Sequence, residues 1–178
     1  IFGASQPQHY QFMKDSYPEI YERVKAAVTS GNWECQGGMW VEADCNLISG
    51  ESMVRQLLHG KNFFKDEFGV DVDHLWLPDV FGYSAALPQI LKKSGVNFFL
   101  TQKLSWSQFN EFPHQTFNWR GIDGTEILTH FPPENTYNSE LDTQFLLPAQ
   151  SGFMEKDKLD EFISLFGVGN GGGGPKPE

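Results

Sequence analysis

Asp79 is the lone charge in the run Trp76-Leu77-Pro78-Asp79-Val80-Phe81-Gly82-Tyr83-Ser84, between a strand-like stretch and a helix-like one. Loops that follow strand carboxyl ends line the ligand crevice of parallel α/β folds, so a carboxylate here is a candidate for chemistry. Aspartate also caps helices and fills turns, which is the structural alternative. Glu34, Glu42 and Asp44 fall at or near other expected strand ends. Carboxylates converging on one crevice would suit cleavage of a glycosidic bond, one acting as nucleophile or base and another as acid. Solvated loop residues are the ordinary alternative.

Other chemistries find less support. His9, His59, His74, His114 and His130 are scattered, and no His-x-x-x-His, His-x-Asp or Cys-x-x-Cys pattern brings zinc ligands together. Gly-x-Ser-x-Gly is absent, and Gly82-Tyr83-Ser84 lacks the second glycine of a nucleophile elbow. The glycine-rich end, from Gly167 to Pro175, lacks the Gly-Lys-Ser/Thr ending of a phosphate loop. Close approach of a ligand or another backbone explains it better than a linker, and a linker better than phosphate.

The elements that must position these residues alternate between strand and helix. Phe2-Gly3-Ala4-Ser5 reads as a strand end, and residues 8–30 as helical, interrupted at Pro18 and closed by Gly31, with Ile20, Val24, Ala27 and Val28 on one face. Trp33-Glu34-Cys35-Gln36 is strand-like and leads into the loop 37–44. Ser49 caps a helix running to about Phe68, with Met53, Leu57, Phe64 and Phe68 on its apolar side. The strand 74–77, the Asp79 loop, a helix over 85–94 stopped by Gly95, and a strand over 96–101 follow. Three βα units in succession imply a parallel sheet with crossover helices. Residues 116–120 and 126–129 form a hairpin about Gly121-Ile122-Asp123-Gly124, an irregular loop containing Tyr137 comes next, and residues 155–166 are amphipathic with helical spacing.

The chain has 178 residues, about one domain, and a formal charge of −10 with no cluster of Lys and Arg, which argues against nucleic acid and anionic membranes as partners. No apolar run has the length of a membrane span. Sixteen Phe and five Trp serve a core, sugar-stacking surfaces, or both. Cys35 and Cys45 are too few for a disulfide framework and read as reduced thiols. Three βα units are too few to close a barrel, so residues 1–178 read as a single partial domain of something larger.

Several segments in order resemble the catalytic domain of glycoside hydrolase family 38, the retaining α-mannosidases: Ala4-Ser5-Gln6 with His9-Tyr10, Gly37-Gly38-Met39-Trp40-Val41-Glu42-Ala43-Asp44, the Asp79 run, Thr129-His130-Phe131-Pro132 with Tyr137-Asn138, and the glycine-rich end. The wording around Trp40 and the glycine-rich end is most similar to the branch with cytosolic, vacuolar and many bacterial enzymes. The resemblance implies an α/β fold, the central part of an incomplete (β/α)7-type barrel of parallel strands and crossover helices with a short hairpin insertion. It implies that Asp79 is both catalytic nucleophile and zinc ligand, and that Trp40, Lys103 and Tyr137 bind substrate. The activity implied is hydrolysis of terminal α-linked mannose through a covalent mannosyl-Asp79 intermediate, in the cytoplasm or vacuole, on mannose-containing glycans or oligosaccharides. Homo-oligomer formation stays open. The other three zinc ligands expected of the family, a His-x-Asp pair and a late His, lie before Ile1 and after Glu178, so these residues alone are expected to hold no zinc tightly and to turn over no substrate. Asn170 stands where related sequences often carry Asp, which leaves the acid/base unassigned. The rival reading is a domain that keeps the fold and binds carbohydrate without catalysis.

Overall fold

A computed structural model describes residues 1–167; the expectations for Asn170 and most of the glycine-rich end lie outside them. Six strands and five helices occur among these residues: β1 (Phe2–Ala4), α1 (Pro7–Ser16), α2 (Pro18–Thr29), β2 (Trp33–Cys35), α3 (Gly50–Phe68), β3 (His74–Leu77), α4 (Leu87–Lys93), β4 (Phe98–Thr101), β5 (Thr116–Arg120), β6 (Glu126–His130) and α5 (Thr143–Gly152). The mixed α/β class with parallel strands is as expected. β1 and β2 pair in parallel, and the second sheet runs β3-β4-β6-β5, parallel except for the β5–β6 hairpin. Hydrogen bonding therefore divides the strands into two sheets where one was expected.

Local chemistry explains the boundaries. Pro18 supplies the first residue of α2, where its missing N–H costs nothing, and the chain breaks at Tyr17 as anticipated. The Ser49 hydroxyl accepts from the Ser52 N–H at the start of α3, and Gly69, at φ 71°, closes that helix in the left-handed conformation. Gly60 sits where α3 crosses the backbone of residues 38–40 so closely that an added Cβ would lie 2.5 Å from the Met39 carbonyl carbon. That approach holds the 37–44 loop against the core.

The core follows the pleat of β3. Leu75 and Leu77 are fully buried against Met53 and Leu57 of α3, Leu87 and Leu91 of α4, and Phe99 and Ile127 of the neighbouring strands. The opposite face carries His74, Trp76, Phe98, Leu100 and Leu128 over a cavity of about 970 Å³. A second cluster of Tyr10, Tyr21, Val24, Cys35, Phe64 and Val72 ties α1, α2 and α3 to β2. On α2 the buried positions are Tyr21 and Val24, while Ile20 is 40% exposed, so the apolar face is turned by one residue from the expected one.

Two expectations are corrected near the end of the described chain. Residues 155–166 are not a helix: after a turn near residues 154–158 they run irregularly along the open sheet face. The Ile163 N–H donates to His130 Nε2 and the Leu165 carbonyl accepts from the Ser139 N–H, so long-range partners replace the helical ladder. Helix α5 lies instead in the stretch expected to be irregular. Asp142 caps it by accepting from the Gln144 and Phe145 N–H groups, and Pro148 lies inside it.

Candidate active site

Strands β3, β4 and β6 are parallel, so their carboxyl ends share one edge, and the segments that leave them carry the candidate residues. Asp79 is two residues past β3. Lys103 is two residues past β4, on a short 3₁₀ turn over Lys103–Ser105, and Tyr137 is on the loop after β6. The three side chains meet. The Lys103 ammonium donates to Asp79 Oδ1 at 2.8 Å, the Tyr137 hydroxyl donates to the same oxygen at 3.0 Å, and Lys103 Nζ lies 3.3 Å from the Tyr137 oxygen.

The cluster is shielded unevenly. The Lys103 side chain is 3% exposed and that of Asp79 is 54% exposed. The ammonium sits 3.7 Å from the Trp106 ring centroid, 4.9 Å from that of Tyr137 and 5.0 Å from that of Phe81, an aromatic cage that favours a cation. Burial alone would lower the Lys103 pKa, but the Asp79 carboxylate and the Tyr137 hydroxyl outweigh it and hold it above the usual lysine value. The result is a fixed cation gripping one oxygen of a half-open carboxylate.

Tyr83 fixes the loop that presents Asp79. Its hydroxyl lies 3.0 Å from the Leu77 carbonyl, 2.9 Å from the Val80 carbonyl and 2.5 Å from Thr101 Oγ1, bridging the ends of β3 and β4. Gly82 turns beside it at φ 97°, where Asn46 packs so closely that an added Cβ would fall 2.8 Å from its side-chain nitrogen.

Among the candidate carboxylates, Glu42 responds to the charge of Asp79. Glu42 follows β2, accepts from Ser5 Oγ at 2.6 Å, and has its pKa raised, first by burial and further by the charge of Asp79, against the lowering effect of Ser5. Asp44 accepts from the Asn46 and Leu47 N–H groups and shapes a turn, while Glu34 lines the cavity on the open sheet face.

Trp40 has its contacts elsewhere: the indole N–H donates to Gln8 Oε1 at 2.9 Å and the ring packs edge-on to Phe63. Trp106 was not singled out from the sequence; its only signal there is a tryptophan three residues after Lys103. Among the described residues no group of three or more His, Cys, Asp and Glu side chains could hold a metal ion. Both cysteines are free and buried.

A sequence profile described as "Glycosyl hydrolases family 38 N-terminal domain" matches residues 1–178. The chain is 51% identical to "Alpha-mannosidase G" of Dictyostelium discoideum over 98% of its own length and 16% of that protein. Over 98% of its length and 17% of the relative it is 47% identical to human "Alpha-mannosidase 2C1", so it spans about a sixth of either protein. Among solved structures it resembles an alpha-mannosidase from Enterococcus faecalis, with TM-score 0.58 and 25% identity over 71% of this chain and 14% of that one. A 4-alpha-glucanotransferase from Thermococcus litoralis, at TM-score 0.59 and 14% identity over 72% of this chain and 20% of that one, shares the fold.

Proposed function

Because this chain belongs to glycosyl hydrolase family 38, we propose that it carries the nucleophile of a retaining α-mannosidase that releases terminal α-linked mannose from glycans or oligosaccharides. The observation that carries the reading is the Asp79 carboxylate at a strand carboxyl end, with Oδ1 gripped by Lys103 and Tyr137 and its side chain half exposed. Asp79 attacks the anomeric carbon as the bond to the leaving oxygen breaks. A glycosyl ester forms, and water then attacks that carbon and frees the carboxylate, so two inversions give net retention. Lys103 and Tyr137 orient the carboxylate and bind substrate hydroxyls. The acid that protonates the leaving oxygen is not assigned to a described residue.

Zinc belongs to the proposal only through Asp79. The described residues do not fit the ion by themselves, since among them no group of three or more His, Cys, Asp and Glu side chains comes together around that carboxylate. The strands are proposed to form part of a (β/α)7-type barrel, which the open face of the β3-β4-β6 sheet supports. A cytoplasmic setting is supported by the two free, buried thiols.

The reading is tested in the intact enzyme with Asp79→Asn, which keeps the shape and removes the nucleophile. We expect kcat to fall by about three orders of magnitude or more while mannose binding persists. Activity within tenfold of the unaltered enzyme would favour the carbohydrate-binding alternative for this domain.

A further inference from the structure

Tyr83 stands four residues after Asp79, and Gly82 at φ 97° turns the chain so that the phenol comes back to the strand end that presents the carboxylate. Its hydroxyl donates toward carbonyls on either side of Asp79, that of Leu77 at 3.0 Å and that of Val80 at 2.9 Å. The third partner is Thr101 Oγ1 at 2.5 Å, on the last residue of β4 and two residues before Lys103. Leu77 and Thr101 are opposite each other at the final rung of the β3–β4 ladder. One oxygen thus touches both of the strand ends that lead into the Asp79–Lys103 pair.

A phenol has one proton to donate and lone pairs with which to accept, so its proton serves the two carbonyls and the Thr101 hydroxyl donates in return. Thr101 is 0% exposed, and a hydroxyl without a partner is costly there. The Tyr83 ring packs edge-on to Phe99, with centroids 5.0 Å apart, and to Trp119 at 6.5 Å, which gives the phenol oxygen a fixed place against the core. Lys103 and Tyr137 hold Asp79 by Oδ1 and so aim its side chain. The backbone beneath that side chain is held by Tyr83.

We propose that Tyr83 is a positioning residue for the nucleophile: its hydroxyl sets the separation between the β3 end that carries Asp79 and the β4 end that carries Lys103. This role rests on the α-mannosidase reading and deepens it. Attack on the anomeric carbon tolerates little error in the placement of the carboxylate, since a shift of about 1 Å can cost a hundredfold in rate.

In the intact enzyme, Tyr83→Phe keeps the ring and removes the hydroxyl. Labelling to completion with 5-fluoro-α-mannosyl fluoride counts the competent sites, so that kcat is expressed per labelled site. For an aryl α-mannoside, kcat per site should fall about tenfold, with KM within about twofold of that of the unaltered enzyme. Thr101→Val should also lower kcat per site, and adding it to Tyr83→Phe should cost nothing more, because both remove the same contact. A hydroxyl that serves only the fold would lower the number of labelled sites or the urea midpoint and leave kcat per site unchanged. That result would overturn the proposal, as would losses that multiply in the double variant. An unaltered enzyme that neither hydrolyses the mannoside nor takes the label would overturn the α-mannosidase reading itself, a separate and recognisable failure.

Discussion

Asp79 and Lys103 form an uneven pair, a half-exposed carboxylate held by a nearly inaccessible ammonium. Removing the exposed partner strands a buried charge, whereas removing the buried one frees the carboxylate to rotate. Lys103→Ala should therefore act mainly on orientation, lowering kcat/KM by about a hundredfold in the intact enzyme. Steady-state kinetics with a small mannoside check this, and a change below threefold would show that Lys103 does not position the nucleophile. Its raised pKa keeps it charged through neutral pH, so the pair's contribution is present below the usual lysine value and is lost as pH rises through the higher folded value. Asp79 was legible in the sequence because it follows an apolar strand-like run, whereas Lys103 and Tyr137 were named only through the family resemblance; the parallel strands that bring the three together end on one edge. Trp40 also follows a strand, but which way a loop side chain turns depends on partners such as Gln8 and Phe63, supplied by distant segments.

At the scale of elements, Glu155 anchors the segment that lies along the open sheet face. Its carboxylate accepts from the Gln115 and Thr116 N–H groups at the start of β5 and pairs with His114. Burial would raise its pKa, but these donors win and hold it below the usual carboxylate range. The stability it contributes is therefore present above the ordinary glutamate pKa and lost as pH falls through the lowered folded one. Glu155→Gln should cost about 1–3 kcal/mol at neutral pH, with the difference from the unaltered chain shrinking as pH is lowered through that window. Urea unfolding at several pH values measures it; a pH-independent difference would contradict this account. The break at Pro18 and the cap at Ser49 were readable because they act within one turn. Residues 155–166 were misread because the spacing of Leu159, Phe162, Ile163 and Phe166 suits a helix, whereas His130 and Ser139 are reachable only in three dimensions.

For the whole molecule, helices α3 and α4 cover one face of the second sheet, and the other face bears a large cavity and the exposed Phe98 and Leu128. Parallel sheets are ordinarily covered on both faces, which supports a barrel interior there. The parallel order was legible from βα alternation, but the division into two sheets was not, because local pattern does not fix which strands pair across the long connection between β2 and β3. Residues 1–178 expressed alone should bind less than one zinc per chain after dialysis, since among the described residues Asp79 belongs to no group of three or more potential metal ligands. Metal analysis against protein concentration checks this, and stoichiometric zinc would show a site that the account misses.

The mechanism proposed for the intact enzyme stands or falls with Asp79 as its nucleophile. The most direct measurement is incubation of the intact enzyme with a 5-fluoro-α-mannosyl fluoride, which forms a slowly hydrolysed glycosyl ester, followed by peptide mass spectrometry. The added fluorosugar is expected on the peptide Trp76-Leu77-Pro78-Asp79-Val80-Phe81, at Asp79. Label on any other carboxylate, Glu42 included, would contradict it.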